Sequence, residues 1–579
     1  MSVRYPFDLK IIVLSLTLLC LSNQSLRAQT KIPNRNIPTA PSTPFPQDIP
    51  KPPSNEPPID IFPFFQSPET DSIGAGTIRV EKFIFKGNTV FSSRQLEAKL
   101  SPYLGRKLTF SELLQARSAI TELYTQAGYI NSGAFIPVAD NQAVQTNRGI
   151  VTIQIVEGKM EAIDVRGSNR LRKYVLSRLK RATSPVLNVN RLVEALRLLQ
   201  ADPLLDGISA QLNAGSQIGL AALDVTVKEK QPFQVETILD NERSPAVGSF
   251  QRQIRLGHAN LLGLGDELSV NYRNTDGSNA IETSYALPLN PQNGTLQFSY
   301  TNVSSKIIER PFTQLDIISD AQSYELSFRQ PLLRQASAEA TRELAVGIAV
   351  SQQEAKTSLL DTPFPISSGA DERGRTRISA IRLFQEWSSL SNRNVFLASS
   401  QFSVGIDALN ATINDSLPDG RFFAWRGQAL WLRKFTEDLT LVLKGDLQLA
   451  DRPLVSLEQF GLGGATIVRG YRQDTLISDN GVLLSAELRW AIWQNETDRL
   501  QIVPFFDIGS AWNRDQRDNL VNPDLGTLAS VGLGLQYQIG DRLDFRLDWG
   551  IPLVDVETGS ESNSWQDNGL YFSVRYRPF

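Results

Sequence analysis

Histidine and cysteine are almost missing from this chain of 579 residues, which holds one of each, His258 and Cys20. One cysteine leaves no internal disulfide, no thiolate metal site and no paired redox chemistry. Cys20 lies in the apolar stretch Ile11 to Leu21 and follows Leu19, not the small residue that a lipoprotein signal needs. It is expected to depart with a cleaved leader. His258, in Arg255-Leu256-Gly257-His258-Ala259-Asn260, builds no histidine-based metal cluster and reads as a strand or turn residue. No Ser-His-Asp set, metal-ligand cluster or phosphate loop is present, and Gly461-Leu462-Gly463-Gly464 follows no Rossmann unit. The expectation is a protein that is not an enzyme, with no catalytic residues, no cofactor and no metal. An excess of one charge is also missing. Lys and Arg number 58 against 61 Asp and Glu, a formal net charge of −3 that suggests no nucleic-acid partner.

Long apolar runs are scarce as well. Beyond the N-terminus none reaches the roughly 18 residues of a membrane helix. The stretch from Ile11 to Leu21 follows Arg4 and Lys10 and has about the length of a signal-peptide core. Residues 1–28 are expected to be a signal peptide, with cleavage after Ala28, and the protein to be exported. The adjoining segment, residues 29–76, is rich in proline (Pro41, Pro44, Pro46, Pro50, Pro52, Pro53, Pro57 and Pro58 among others). Such a segment is short of amide donors and apolar periodicity, and reads as an extended or disordered tether. Its closing aromatic cluster, Ile61-Phe62-Pro63-Phe64-Phe65, is placed to dock on the first folded module.

An internal repeat comes next. Phe83-Ile84-Phe85-Lys86-Gly87-Asn88 matches Ile163-Asp164-Val165-Arg166-Gly167-Ser168-Asn169. Each copy continues with two helix patterns. In the first, Ser93 to Leu100 precedes a run that Ser111 can cap, with Leu113, Ala116, Ile120 and Leu123 on one stripe. In the second, Arg172 to Leu179 precedes a run that Asn190 can cap, with Leu192, Ala195, Leu196 and Leu199. Closing strands follow at 149–157 and 221–229. The order β-α-α-β-β, twice, predicts two α+β modules over residues 77–157 and 158–230.

From about residue 231 strict alternation replaces helical periodicity. Leu543, Phe545, Leu547, Trp549 and Ile551 alternate with Asp544, Arg546, Asp548 and Gly550, and Val482, Leu484, Ala486, Leu488 and Trp490 with Ser485, Glu487 and Arg489. A soluble sandwich would show one apolar face too. Charges of both signs on the polar parity, aromatics near strand ends and connections of uneven length, with Asp361 to Arg375 a candidate long external loop, point instead to lipid outside and a wet lumen inside. At roughly ten residues per strand plus connections, the segment 231–579 fits an all-β transmembrane barrel of about 16 antiparallel strands.

Within that barrel lies Val468-Arg469-Gly470-Tyr471 on a segment rich in glycine (Gly461, Gly463, Gly464, Gly470), and 38 residues after the arginine comes Asp507, in Phe505-Phe506-Asp507. Two such repeats, a barrel of this size, the tetrapeptide, the F-x-D sequence and a terminal Phe579 together resemble the TpsB transporters of two-partner secretion, the ShlB/FhaC/HecB haemolysin secretion and activation group. The resemblance covers about 77 to 579. It implies that the repeats are POTRA domains in the periplasm and that the barrel spans the bacterial outer membrane. It implies that Arg469 sits at the tip of a loop folded into the lumen, where Asp507 receives it, so that Val468, Arg469, Gly470, Tyr471, Phe505 and Asp507 form a loop-to-barrel lock. It further implies a large, unfolded, haemolysin- or adhesin-like partner exoprotein, recognised through the POTRA domains and exported, and installation in the outer-membrane lipid by the barrel-assembly machinery. Edge strands offer a means of holding an extended cargo by main-chain hydrogen bonds, and the closing strands 149–157 and 221–229 are candidates for supplying or adjoining such edges. In some members an N-terminal helix plugs the pore; the proline-rich 29–76 argues against a long helix there. The alternative is the sister branch of the superfamily, which inserts other barrels into the membrane. A passive porin would have no use for the two repeats.

Overall fold

The computed structural model describes residues 59–61, 77–137, 149–514, 525–556 and 563–578. The expected signal peptide, most of the expected tether, the cluster Phe62 to Phe65 and Phe579 lie outside the described residues.

The first module begins with β2 (Thr77–Arg79) and β3 (Lys82–Lys86), continues through α1 (Ser93–Leu100), β4 (Lys107–Thr109) and α2 (Phe110–Gln126), and closes with β5 (Gly133–Phe135) and β6 (Ile150–Val156). α2 starts earlier than Ser111 suggested. Thr109 is the N-cap, because only from that position can Glu112, three residues on, return its carboxylate to the cap amide (2.7 Å) while its own amide reaches the Thr109 hydroxyl (3.2 Å). The predicted stripe is the buried one: Leu113, Ala116 and Ile120 pack with Leu96, Phe83 and Val151 in one core.

β7 (Lys159–Arg166), α3 (Arg172–Thr183), α4 (Val189–Gln200), β8 (Leu205–Ala214) and β9 (Leu220–Glu229) make the second module in the predicted order β-α-α-β-β, to which the first adds the short pair β2 and β4. Asn188, not Asn190, caps α4; its carboxamide oxygen accepts the amides of Asn190 (3.0 Å) and Arg191 (3.3 Å). β9 and β6 are central strands, flanked by β8 and β7 and by β3 and β5 respectively, so the two closing strands adjoin edges and do not form them. The β8 edge is partly covered from an unexpected quarter. Three residues of the proline-rich segment, β1 (Ile59–Ile61), pair parallel with Ala210 to Leu212. Ile59 enters the core of the second module, not the first.

Sixteen antiparallel strands among the described residues close the barrel. They are β10 (Phe233–Asp240), β11 (Gln251–Ala259), β12 (Glu267–Asn274), β13 (Ser278–Pro288), β14 (Thr295–Lys306), β15 (Ile318–Ala336), β16 (Ala340–Leu359) and, after the two-residue β17 (Thr362–Pro363) in a connection, β18 (Arg375–Ser391), β19 (Asn394–Ile406), β20 (Phe423–Lys434) and β21 (Leu439–Ala450). A short hairpin of β22 (Phe460–Leu462) and β23 (Leu476–Ser478) interrupts, and the wall resumes with β24 (Asn480–Gln494), β25 (Asp498–Trp512), β26 (Leu525–Ile539), β27 (Leu543–Pro552) and β28 (Leu570–Tyr576). Pairing of β10 with β28 completes the ring. The alternation sorts as predicted: Leu484, Trp490, Leu533 and Trp549 are exposed on the outer face, while Glu487, Asp507 and Asp548 are buried within. His258 lies on β11. The second module docks on the rim where β10 begins, with the Arg178 guanidinium 3.1 Å from the Asn293 carboxamide oxygen in the β13–β14 turn. The longer connections, 360–374 and 451–479 included, lie at the opposite rim.

Candidate functional site

The connection 451–479 folds back into the barrel. Three glycines make its path possible. Gly463 has φ +103°, Gly464 φ +108° and Gly470 φ +95°, conformations that side chains rarely adopt. At Gly470 space is short too: a Cβ would lie 3.2 Å from the backbone carbon and oxygen of Gly550 on β27. Gly461, by contrast, sits within β22 and is no hinge.

Around Gly470 the chain delivers Val468 to Tyr471 to the wall. Val468 is fully buried and packs with Phe460, Leu462, Leu483 and Leu528. Arg469, 2% exposed, meets the carboxylate of Asp507 side-on: Nε to Oδ2 is 2.7 Å and Nη2 to Oδ1 is 2.8 Å. Its backbone amide adds a third bond to Oδ2 at 3.2 Å. The guanidinium carbon lies 3.5 Å from the centroid of the Phe505 ring, which therefore faces the lumen with Asp507 and forms the dry floor of the pair. Phe506, of the opposite parity, is exposed outside. All six residues singled out in the sequence thus meet at one place, on β24–β28 and the loop tip.

The arrangement is larger than a pair. Glu487 on β24 accepts the other terminus of Arg469 (Nη1 to Oε1, 2.8 Å) and is itself approached by Arg489 (3.1 Å) and Arg546 (2.9 Å). Arg546 reaches on to Asp548 at 2.6 Å. Ser485 donates to Asp507 Oδ1 at 2.6 Å. Tyr571 on β28 accepts the Gly470 amide (3.1 Å) and donates to the Tyr471 carbonyl. The Tyr471 hydroxyl donates to the Ala529 carbonyl (2.8 Å) and accepts the Val554 amide (3.1 Å). A guanidinium removed from water is held only if its donors are satisfied, and here two carboxylates and an aromatic face do so. Removing one partner of such a buried pair costs about 3–5 kcal/mol, which fixes the register of the loop more than it stabilises the barrel.

A neighbouring clasp was not foreseen. Arg472, 3% exposed, is hydrogen-bonded through Nε and Nη2 to Asp567, in the β27–β28 connection, and through Nη1 to Glu309, in the β14–β15 connection. Gln566 beside it accepts the Gln473 amide (2.9 Å) and donates to the Arg243 carbonyl (2.8 Å) in the β10–β11 connection. Three connections at the rim far from the modules are thus tied to one loop. Only the proximity of Arg472 to the tetrapeptide could have drawn attention to it. Glu487 was visible as an acid of lumen parity.

Comparisons with known proteins bear on the whole chain. The family described as "Haemolysin secretion/activation protein ShlB/FhaC/HecB" matches residues 219–537, and the ShlB-type POTRA domain matches residues 78–158. The chain is similar to the outer membrane transporter CdiB of Dickeya dadantii, 22% identical over 472 residues that cover 79% of this chain and 81% of the relative. It is similar to the heme/hemopexin transporter protein HuxB of Haemophilus influenzae, 20% identical over 471 residues, 78% and 79% of the two chains. The solved structure of CdiB from Escherichia coli superposes with a TM-score of 0.66 at 20% identity, covering 88% of this chain and 92% of that one, a likeness of fold.

Proposed function

The chain belongs to the ShlB/FhaC/HecB family of haemolysin secretion/activation proteins, and from that membership we propose how it works: it is an outer-membrane pore that recognises a large unfolded partner exoprotein and exports it by two-partner secretion. The family match laid over a closed sixteen-stranded barrel carries this reading. The protein resides in the outer membrane with its POTRA domains in the periplasm. The rim that bears the modules is the periplasmic one, and the long connections open to the outside.

We assign residues 77–157 and 158–230 to the two POTRA domains, 231–579 to the barrel, 1–28 to a signal peptide and 29–76 to a tether. The periplasm supplies no nucleotide to drive transport, so the direction comes from folding of the cargo outside. The POTRA domains receive cargo in extended form, where a sheet edge lends main-chain hydrogen bonds with little demand on sequence. Val468, Arg469, Gly470, Tyr471, Phe505 and Asp507 act as the loop-to-barrel lock. No catalytic step or cofactor enters, and the barrel-assembly machinery installs the chain in the lipid.

Depleting the chain in its host discriminates secretion from insertion. Secretion predicts that one large protein disappears from the medium while the outer-membrane protein profile stays constant. A general fall in outer-membrane proteins would instead establish the insertase.

A further inference from the structure

The loop that carries Arg469 is held at a second wall by a clasp of opposite polarity. Glu458 ends a single 3-10 turn, Ser456–Glu458, on the limb that enters the lumen. Its carboxylate meets Arg382 of β18 end-on, with Oε1 to Nη2 at 2.5 Å and Oε2 to Nη1 at 3.1 Å. Both side chains are 4% exposed. Ser403, opposite Arg382 on β19, lies 2.8 Å from the same Nη1, and the Glu458 carbonyl accepts the Gln448 side chain at 2.9 Å. Leu454, Val455 and Leu457 seat this limb on an apolar patch of the inner wall made by Ala355, Ile378 and Ala380.

β18 is not the wall that receives Arg469. Round the ring β19, β20, β21 and β24 stand between it and β25. At the tip the loop offers the cation and the wall the acids; at the limb the loop offers the acid and the wall the cation. A loop pinned at two separated walls is a strut across the lumen. Breaking one pin eases release of the loop, and breaking both eases it further.

We propose that Arg382 and Glu458 are positioning residues for transport, a second latch whose release, together with that of Arg469, clears the lumen for an extended polypeptide. The inference rests on the reading of the chain as a pore. Neither residue touches the Arg469 network, so the two latches contribute independently, as separated sites do. The reversed polarity also makes the latch exchangeable: an arginine on the loop and a glutamate on the wall can form the same pair.

The test is single-channel recording of the purified full-length protein in planar bilayers, with potassium chloride as the probe. Barrel integrity is checked for each variant by its heat-dependent mobility on a gel. Glu458→Gln and Arg382→Gln are each expected to raise the frequency of open events by about tenfold or more, as loss of a buried ionic partner implies. Combining Glu458→Gln with Arg469→Ala should exceed either change alone. The exchange Arg382→Glu with Glu458→Arg should return the frequency towards that of the unaltered protein, which a defect in folding would not. Open events unchanged by Glu458→Gln, with Arg469→Ala alone giving the full rise, would overturn the second latch and leave the pore intact. Absence of conductance in every variant, the double included, would overturn the latch together with the pore reading.

Discussion

The hydroxyl of Tyr571, on the last strand of the barrel, donates to the carbonyl of Tyr471 at the loop tip and accepts the amide of Gly470 beside it. One side chain of β28 thus reads the loop backbone at two successive residues. The seam at which the ring closes, β28 against β10, therefore adjoins the lock.

Tyr571→Phe removes both bonds and leaves the ring in place. Loss of a buried hydrogen bond costs about 1 kcal/mol, more where a donor is left unpaired. Hydrogen exchange at the Gly470 amide should accelerate roughly tenfold, while exchange in β18–β20 stays constant.

Arg472→Gln addresses the clasp at the outer rim. Glu309 and Asp567 then lose their shared cation, and the β14–β15 and β27–β28 connections lose their tie to the loop. Exchange should rise in residues 307–317 and 563–569 together. A rise in one segment only would show that the hub does not couple them.

Glu157 sets a pH dependence in the first POTRA domain. Burial pushes its carboxyl up, but the Thr89 hydroxyl, the amides of Val90 and Thr89 and the Tyr124 hydroxyl together outweigh burial and hold it below its usual range. A depressed carboxyl stabilises the folded state above its unfolded value of about 4.3, and that stabilisation is lost as pH falls through the folded value. Protection from exchange across β3 and β6, taken relative to the intrinsic rate at each pH, should therefore fall on acidification below that unfolded value. Glu157→Gln should weaken the domain at neutral pH by about 1–3 kcal/mol and flatten the pH response.

Much of this architecture was legible in the residues. Alternation over Leu543 to Ile551 needs no partner to be read, because burial of every second residue is a property of one strand. Arg469 and Asp507 were legible through the family resemblance; on spacing alone the arginine reads as an exposed loop charge, and Asp507 shows only that it shares strand parity with Phe505. The helix starts were misread by two residues in α2 and in α4, since Thr109 and Asn188 compete with equally suitable Ser111 and Asn190, and only the cap geometry decides. Arg472 with Glu309, and Arg382 with Glu458, were not legible. Their partners stand 163 and 76 residues apart, and closure of the ring, not local pattern, brings them together. The pairing of Ile59 to Ile61 with β8 was hidden for another reason. Three residues between prolines carry no periodicity, and their pairing depends on an open edge elsewhere.

The central claim is that an exporter's loop is held in the lumen by Arg469 against Asp507 and Glu487. Its most direct test is the amount of partner exoprotein released by cells that carry Arg469→Ala, measured against the amount of folded barrel in their outer membranes. The account predicts an unchanged quantity of heat-modifiable barrel and a fall in released exoprotein of about tenfold or more, in keeping with loss of a buried ionic partner. Export equal to that of the unaltered protein, at equal barrel levels, would contradict it.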